Sequence, residues 1–456
     1  MIVPEAWRRG SGTGIVAVIG LGKSGVAATR LLAREGMRVY ASDASDHPYA
    51  GEAAAELKNM PGVEVELGRH DLAKIRTAAG IVVSPGVPPD APPLSAARHA
   101  GVDIVSELDL GFRALPAETR SIAITGTNGK TTTTALIAHL LSAAGLKATA
   151  VGNIGRPITD LALSSDRFNW LSVEVSSFQL HDSPHFAPDV GVLTNLAPDH
   201  LDRYDSAEAY YADKRLLFRN ATDDDVWILN ADDPLVLTLA RGVPGRHVLF
   251  SLVKSTDGWY DATTRTLRLG EESLLRRDDL HLLGDHNVAN ALAAALAVHE
   301  AGVPALLIAE GLRSFRALPH RLEPVREVGG VLWINDSKAT NIAATTVALA
   351  AMDRPFVLLL GGRHKGEPYT RLAALLPKDR CRLVIAYGEA GPLVEHDLAG
   401  AVILERGTTF EDVMERARRA ARPGDAVLLS PACSSYDMFK NYEERGATFR
   451  RLVENQ

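Results

Sequence analysis

Gly126, Thr127, Asn128, Gly129, Lys130 and Thr131 stand between an apolar run, Ser121-Ile-Ala-Ile-Thr125, and a helical stretch that starts near Thr132. The two glycines let the backbone turn tightly enough for successive N–H groups to face one anion. The start of the following helix adds its positive dipole end. Lys130 is placed to neutralise β- and γ-phosphate charge, and Thr131 brings a hydroxyl suited to Mg²⁺. Against the pattern G-x-x-x-x-G-K-[ST] the loop lacks its first glycine, since Ile124 stands there. A strand before and a helix after are the context this chemistry needs, so the segment is expected to hold a nucleotide phosphate.

Other clusters repeat the theme of polar residues at strand ends. "GLGKSG", Gly20 to Gly25 with Gly22, Lys23 and Ser24 inside it, follows a strand, and Asp43 ends the next one. That fingerprint seats a diphosphate on a helix end, whether of a dinucleotide or of UDP; glycines kept only for tight packing would look the same. Glu174 in "VEVSSFQL" closes an apolar strand, as a magnesium-associated carboxylate or as an ordinary cap or ion-pair partner. "TNLAPDHLDRY" brings Asp199, His200 and Asp202 to another strand end, a pattern for a cation or a catalytic imidazole. On composition alone Lys214, in "YYADKRLLF", reads as a solvated helix lysine. Asn287 and Asn290 lie three apart at a helix start, suited to reading a base edge, or with Asn287 as a helix cap. Farther on, "PHRLE", "NDSKATN", "GGRHKG" and "SPACSSYDMFKNY" gather His320, Arg321, Asp336, Lys338, Thr340, Lys365, Ser435 and Tyr442. Cations and hydroxyls together suit a small anion such as a dicarboxylate.

What must position these residues is a series of short β-branched runs alternating with Ala- and Leu-rich helical stretches, the signature of parallel α/β sheets. "FRALPAETR" and "SFRALPHRLEPV", which includes Leu318-Pro319, mark two seams, and residues 246–283 read as a strand-rich excursion. With 456 residues, about three domains are expected. A net charge of −7 gives no electrostatic reason for nucleic acid or an anionic membrane as partner. Two cysteines without C-x-x-C spacing fit a reducing cytoplasm, and neither a signal-peptide core nor a membrane-length apolar run is present. A guanine-reading switch would want N-K-x-D, and the chain has no Asn-Lys pair. An NAD-linked dehydrogenase built on "GLGKSG" would leave the second phosphate loop without a purpose.

"GTNGKTT", "EVSSFQL", "NDSKATN" and "SPACSSYDMF" together resemble the Mur ligases of peptidoglycan precursor synthesis. The first two motifs are shared across the wider family. The last two resemble the branch whose substrates are UDP-N-acetylmuramoyl-L-alanine and D-glutamate. The resemblance implies a Rossmann-like UDP-binding domain over 1–114, a central P-loop ATPase-like parallel sheet over 115–317 and a Rossmann-like amino-acid-binding domain over 318–456. It further implies a monomeric ATP-dependent ligase that works through an acyl phosphate with two Mg²⁺ sites. Lys130, Thr131 and Thr132 fall on its phosphate and magnesium positions, Glu174 and His200 on its magnesium positions, and Asn153 near the reacting carboxylate. Lys214 falls on a lysine carried as a carbamate, which also serves the metal. Asn287 and Asn290 match adenine contacts, and Arg321 and Asp336 match contacts to ribose and phosphates. Gly22, Lys23, Ser24, Asp43, Ser84, Gly86, Asn153 and Ser176 match the UDP-substrate site; Lys338, Thr340, Lys365, Ser435 and Tyr442 match the D-glutamate pocket. Tyr442 stands where the family leads one to expect phenylalanine, and Lys23 where it leads one to expect an apolar residue.

Overall fold

A computed structural model describes Val3, Trp7 and residues 14–45, 48–201 and 203–455, with the backbone alone at 48–50. The rest of the amino-terminal stretch and Asp202 lie outside the described residues. Three sheets organise what is described.

The first contains β1 (Ile15–Ile19), β2 (Arg38–Asp43), β3 (Val63–Leu67), β4 (Gly80–Val83) and β5 (Ile104–Ser106), all parallel in the order β3-β2-β1-β4-β5. Every residue of β1 is buried, which is why it reads as an unbroken apolar run rather than an alternating one. The winding reverses between β1 and β4, where open parallel sheets bind ligands. Ile19 pairs with Val83, so the loops after both strands leave the sheet side by side.

The second sheet has nine strands: β6 (Arg120–Thr125), β7 (Ala148–Gly152), β8 (Trp170–Glu174), β9 (Val190–Leu193), β10 (Val226–Asn230), β11 (Arg246–Ser251), β12 (Gly258–Asp261), β13 (Thr266–Leu269) and β14 (Glu272–Arg276). Its order is β14-β13-β12-β11-β10-β9-β6-β8-β7. The strands from β7 to β12 are parallel and β12 to β14 are antiparallel; the expected strand-rich excursion is β11 to β14. β6 lies between β8 and β9, so the loops that carry the phosphate motif, Glu174 and Thr194 to His200 emerge together at its carboxyl end.

The third sheet has six strands: β15 (Glu323–Val328), β16 (Val331–Asn335), β17 (Phe356–Gly361), β18 (Cys381–Tyr387), β19 (Leu404–Arg406) and β20 (Ala426–Leu429). They run in the order β15-β16-β20-β17-β18-β19, and only β15 is antiparallel to its neighbour. Two compact units result. One comprises residues up to Asp279 together with Ala289–Ser314, and so holds the first two sheets; the other comprises Leu280–Val288 and Phe315–Gln456. No helix among the described residues is long and apolar enough to cross a membrane.

Candidate functional site

At the β1/β4 switch point the first unit has a cavity of about 780 Å³, within the usual range for small-molecule sites. Gly22, Lys23, Ser24, Asp43, Ser84 and Gly86 all line it, and Asn153 reaches it from the second sheet. Three contacts set the glycine loop. Gly20 N–H donates to Ser42 O at 2.8 Å, Leu21 N–H donates to Asp43 Oδ2 at 2.6 Å, and Ser84 Oγ donates to Gly20 O at 2.8 Å. Asp43 is thus half-committed to the loop itself. A Cβ on Gly25 would overlap the Gly20 carbonyl, so this glycine is fixed by backbone approach. Ser176, expected at this cavity, is not among its lining residues. It caps the helix Ser177–His181 in a reciprocal capping box with Gln179.

The phosphate loop is held from two sides. Gly129 caps the helix Lys130–Ala143 with φ 85°, and a Cβ there would strike Asn290 Oδ1; one on Gly126, at φ 139°, would strike Thr194 Oγ1. Asn195 takes the Asn128 N–H on its Oδ1 at 2.9 Å and gives its Nδ2 to Asn128 O at 3.0 Å. Thr127 N–H donates to Asn195 O, and the Thr127 hydroxyl donates to Ala197 O at 3.0 Å. Lys130 Nζ lies over the loop, donating to Gly126 O at 2.8 Å and Thr127 O at 2.7 Å. Asn290, buried in the helix Asp285–Glu300, accepts from Thr133 Oγ1 at 3.3 Å in the first turn of the helix that follows the loop. Asn287 is inside that helix rather than at its cap, and its Nδ2 donates to Leu283 O.

Beside the loop, Glu174 is buried at the end of β8. Its Oε1 accepts from Asn153 Nδ2 at 2.9 Å, while its buried Oε2 has no hydrogen-bond partner. An orphaned carboxylate oxygen is costly to bury, and a cation is what relieves that cost. No group of three or more His, Cys, Asp or Glu among the described residues could enclose a metal. Mg²⁺ takes one or two protein carboxylates and fills its shell with phosphate oxygens and water, so the Glu174 carboxylate alone is a sufficient protein anchor for it. His200 adopts φ 54° and stands edge-on to Phe178 at 5.2 Å, with Nε2 3.6 Å from Asp199 Oδ2.

Lys214 is not the solvated lysine that composition suggests. Only 1% of it is exposed; its Nζ donates to Thr125 Oγ1 at 3.3 Å and lies 4.7 Å from the centre of the Tyr210 ring. Burial, then the charge of Lys130, pushes its pKa well below the ordinary lysine value against the opposing pull of Asp199, Glu174 and Asp213. The direction of that shift favours the uncharged amine beside the phosphate loop. Sequence reasoning also passed over Tyr210, one turn before Lys214, and the clamp made by Thr194 and Asn195. Both were legible as polar residues within motifs already singled out.

In the second unit the expected pocket residues gather at the carboxyl ends of β16, β17 and β20. Lys338 Nζ lies 5.2 Å over the Tyr442 ring, and Lys365 Nζ reaches Thr340 Oγ1 at 3.5 Å. Ser435 is buried. Beneath them is a residue the motifs did not single out: Arg445, fully buried, donates to Ser337 Oγ at 3.0 Å, Ser337 O at 2.8 Å and Cys433 O at 3.1 Å, pinning both motif loops.

Asp336 holds the seam: its Oδ1 accepts from Leu322 N–H at 3.1 Å and its Oδ2 from Ser430 Oγ at 2.9 Å. Leu322 and His320 both have positive φ, 42° and 65°. Burial raises Asp336 to about 7, despite the pull of the Ser430 hydroxyl and the Leu322 N–H. The folded unit therefore keeps a proton that the unfolded chain sheds. Its stability falls as pH rises from the ordinary aspartate range towards 7 and levels off above that. Asp336→Asn is expected to remove this slope, since Asn still accepts from Leu322 and the Ser430 hydroxyl can turn to accept from the amide. Thermal unfolding of both proteins at about pH 5 and about pH 8 checks it; equal slopes would contradict it.

Three family models match the chain: a Mur ligase MurD-like N-terminal domain over residues 14–106, a Mur ligase middle domain over 124–298, and a Mur ligase glutamate ligase domain over 320–433. A relative from Salinibacter ruber, named UDP-N-acetylmuramoylalanine–D-glutamate ligase, is 44% identical and covers 99% of each chain. One of the same name from Acidobacterium capsulatum is 42% identical over 96% of this chain and 95% of its own. Among solved structures, a UDP-N-acetylmuramate-alanine ligase from Thermotoga maritima matches with a TM-score of 0.61 at 19% identity, over 96% of this chain and 99% of that one. A pseudomurein peptide ligase type C from Methanothermus fervidus matches at 0.59 and 20% identity, over 97% and 99%. At these identities the two structures establish the shared fold.

Proposed function

The chain belongs to the Mur ligase family, and from that premise we propose that it joins D-glutamate to UDP-N-acetylmuramoyl-L-alanine. The reaction consumes ATP and releases ADP and phosphate in peptidoglycan precursor synthesis. The observation that carries this reading is Asn153, which lines the nucleotide cavity and also donates to Glu174 at 2.9 Å. A nucleotide sugar seated on the glycine loop is thereby led towards the carboxyl ends of β6 and β8, where the phosphate loop stands.

A carboxylate resists amines, because attack would have to expel oxide. In the first step a substrate carboxylate oxygen attacks the γ-phosphorus of ATP, ADP leaves, and an acyl phosphate forms. The D-glutamate nitrogen then adds to the acyl carbon. Collapse of the tetrahedral adduct breaks the C–O bond to phosphate, and the nitrogen gives up its proton. The N–H groups of the 126–131 loop and Lys130 hold the β- and γ-phosphates, and Asn153 orients the carboxylate. Thr131, Glu174 and His200 would hold Mg²⁺, which neutralises phosphate oxygens when bound. Asn287 and Asn290 serve the adenine, and Arg321 and Asp336 the ribose and phosphates. Lys338, Thr340, Lys365, Ser435 and Tyr442 take the amino acid. Lys214 acts as a carbamate: its neutral nitrogen adds to CO₂, loses a proton, and becomes an anion with two oxygens where an ammonium would repel the metal.

Labelling the substrate carboxylate with ¹⁸O tests the sequence of steps. One labelled oxygen is expected in the released phosphate, since the attacking oxygen leaves with it. Unlabelled phosphate would contradict the acyl phosphate.

A further inference from the structure

Below the glycine loop lies a carboxyl that the reaction does not use. Glu107 opens the helix Glu107–Arg113 and is completely buried. Its Oε1 accepts both the Thr159 N–H at 2.8 Å and the Thr159 hydroxyl at 2.6 Å. Its Oε2 is buried and has no hydrogen-bond partner. The Ser24 hydroxyl and the Ile158 N–H both lie near enough to act on the carboxyl, although neither makes a hydrogen bond to Oε2, and Ser24 lines the nucleotide cavity. The helices Lys23–Arg34 and Ile158–Leu163 pack against this one, and their charged groups are engaged elsewhere. Arg30 pairs with Glu56, Arg34 bonds the Ala162 and Leu163 carbonyls, and Asp160 pairs with Arg156; on Glu107's own helix, Asp109 meets His185 and Arg113 contacts the same ring. Lys23 lines the cavity instead.

We propose that Glu107 is a positioning residue for the substrate's diphosphate: its orphaned Oε2 donates to Ser24 Oγ, so that the Ser24 hydroxyl proton points into the cavity and donates to a phosphate oxygen. The oxygens divide accordingly. Oε1, with two donors on it, is the carbonyl-like acceptor, and Oε2, with none, is the one that carries the proton. Burial holds the carboxyl above the ordinary glutamate range, the direction this role requires. An ionised Glu107 would instead draw the Ser24 proton to itself and turn lone pairs towards the phosphate. The inference rests on reading the cavity as a nucleotide-sugar site.

Five proteins test it: wild type, Glu107→Ala, Glu107→Gln, Ser24→Ala and the double alanine variant. For each, kcat, KM for UDP-N-acetylmuramoyl-L-alanine and direct binding of that substrate by calorimetry are measured. Glu107→Ala and Ser24→Ala are each expected to raise KM and Kd about tenfold, one hydrogen bond's worth, with kcat little changed. The double variant should be no worse than either single one. Glu107→Gln, whose amide reproduces one acceptor and one donor, should restore both constants towards wild type. Glu107→Ala with unchanged KM, a folded Glu107→Gln as impaired as Glu107→Ala, or additive effects in the double variant would each overturn the assignment alone. Wild-type protein that does not bind the UDP substrate would overturn the nucleotide-sugar reading and this assignment with it.

Discussion

Lys214→Ala is expected to lower turnover on the order of 10²–10³-fold, the scale of losing one preorganised charge from a phosphoryl-transfer site. The fold should survive: an amine buried without a carboxylate partner is itself a burden, and its removal relieves that while leaving a small cavity. If the carbamate is what works, the variant lacks oxygens rather than a cation. Acetate or formate in millimolar excess should then restore part of the activity, and chloride at the same ionic strength should not. A variant that turns over normally without additives would return Lys214 to a structural role. Equal effects of chloride and acetate would remove the carbamate and keep the lysine.

Lys130→Ala is expected to cost at least as much, because two functions fall together. The loop loses the ammonium now held over the Gly126 and Thr127 carbonyls, and with it the main counter-charge to the γ-phosphate. Lys214 also loses the neighbouring positive charge that helps to hold its amine neutral, so it takes up a proton more readily and CO₂ less readily. Combining Lys130→Ala with Lys214→Ala should therefore cost far less than the product of the two single losses. Steady-state kinetics on all four proteins measures this, and a multiplicative result would show that the lysines act independently.

The two loops were legible because each is local: strand, glycines and helix follow one another in the chain, and a Cβ at Gly25 or Gly129 would meet backbone or side chain at once. Sheet order was partly legible, since alternating strands and helices imply parallel pairing, and the expected strand-rich excursion is β11 to β14. Burial brought about by distant packing was not legible. Lys214 sits in a short helix of weak amphipathicity, and its amine is buried where that helix meets Thr125 at the end of β6. Glu107 and Arg445 are of types seldom fully buried, yet both are fully buried. Ser176 belonged to a matched motif, but its local bonds with Gln179 make it a helix cap. Motif spacing reveals what the backbone must do; it does not reveal what a side chain meets across the fold.

The most direct test of the account measures phosphate release from ATP with Mg²⁺ and UDP-N-acetylmuramoyl-L-alanine, with each amino acid added in turn. D-glutamate is expected to sustain turnover, and L-glutamate, L-lysine and meso-diaminopimelate are not. Turnover with L-lysine or meso-diaminopimelate equal to that with D-glutamate, or release that ignores the amino acid altogether, would contradict it.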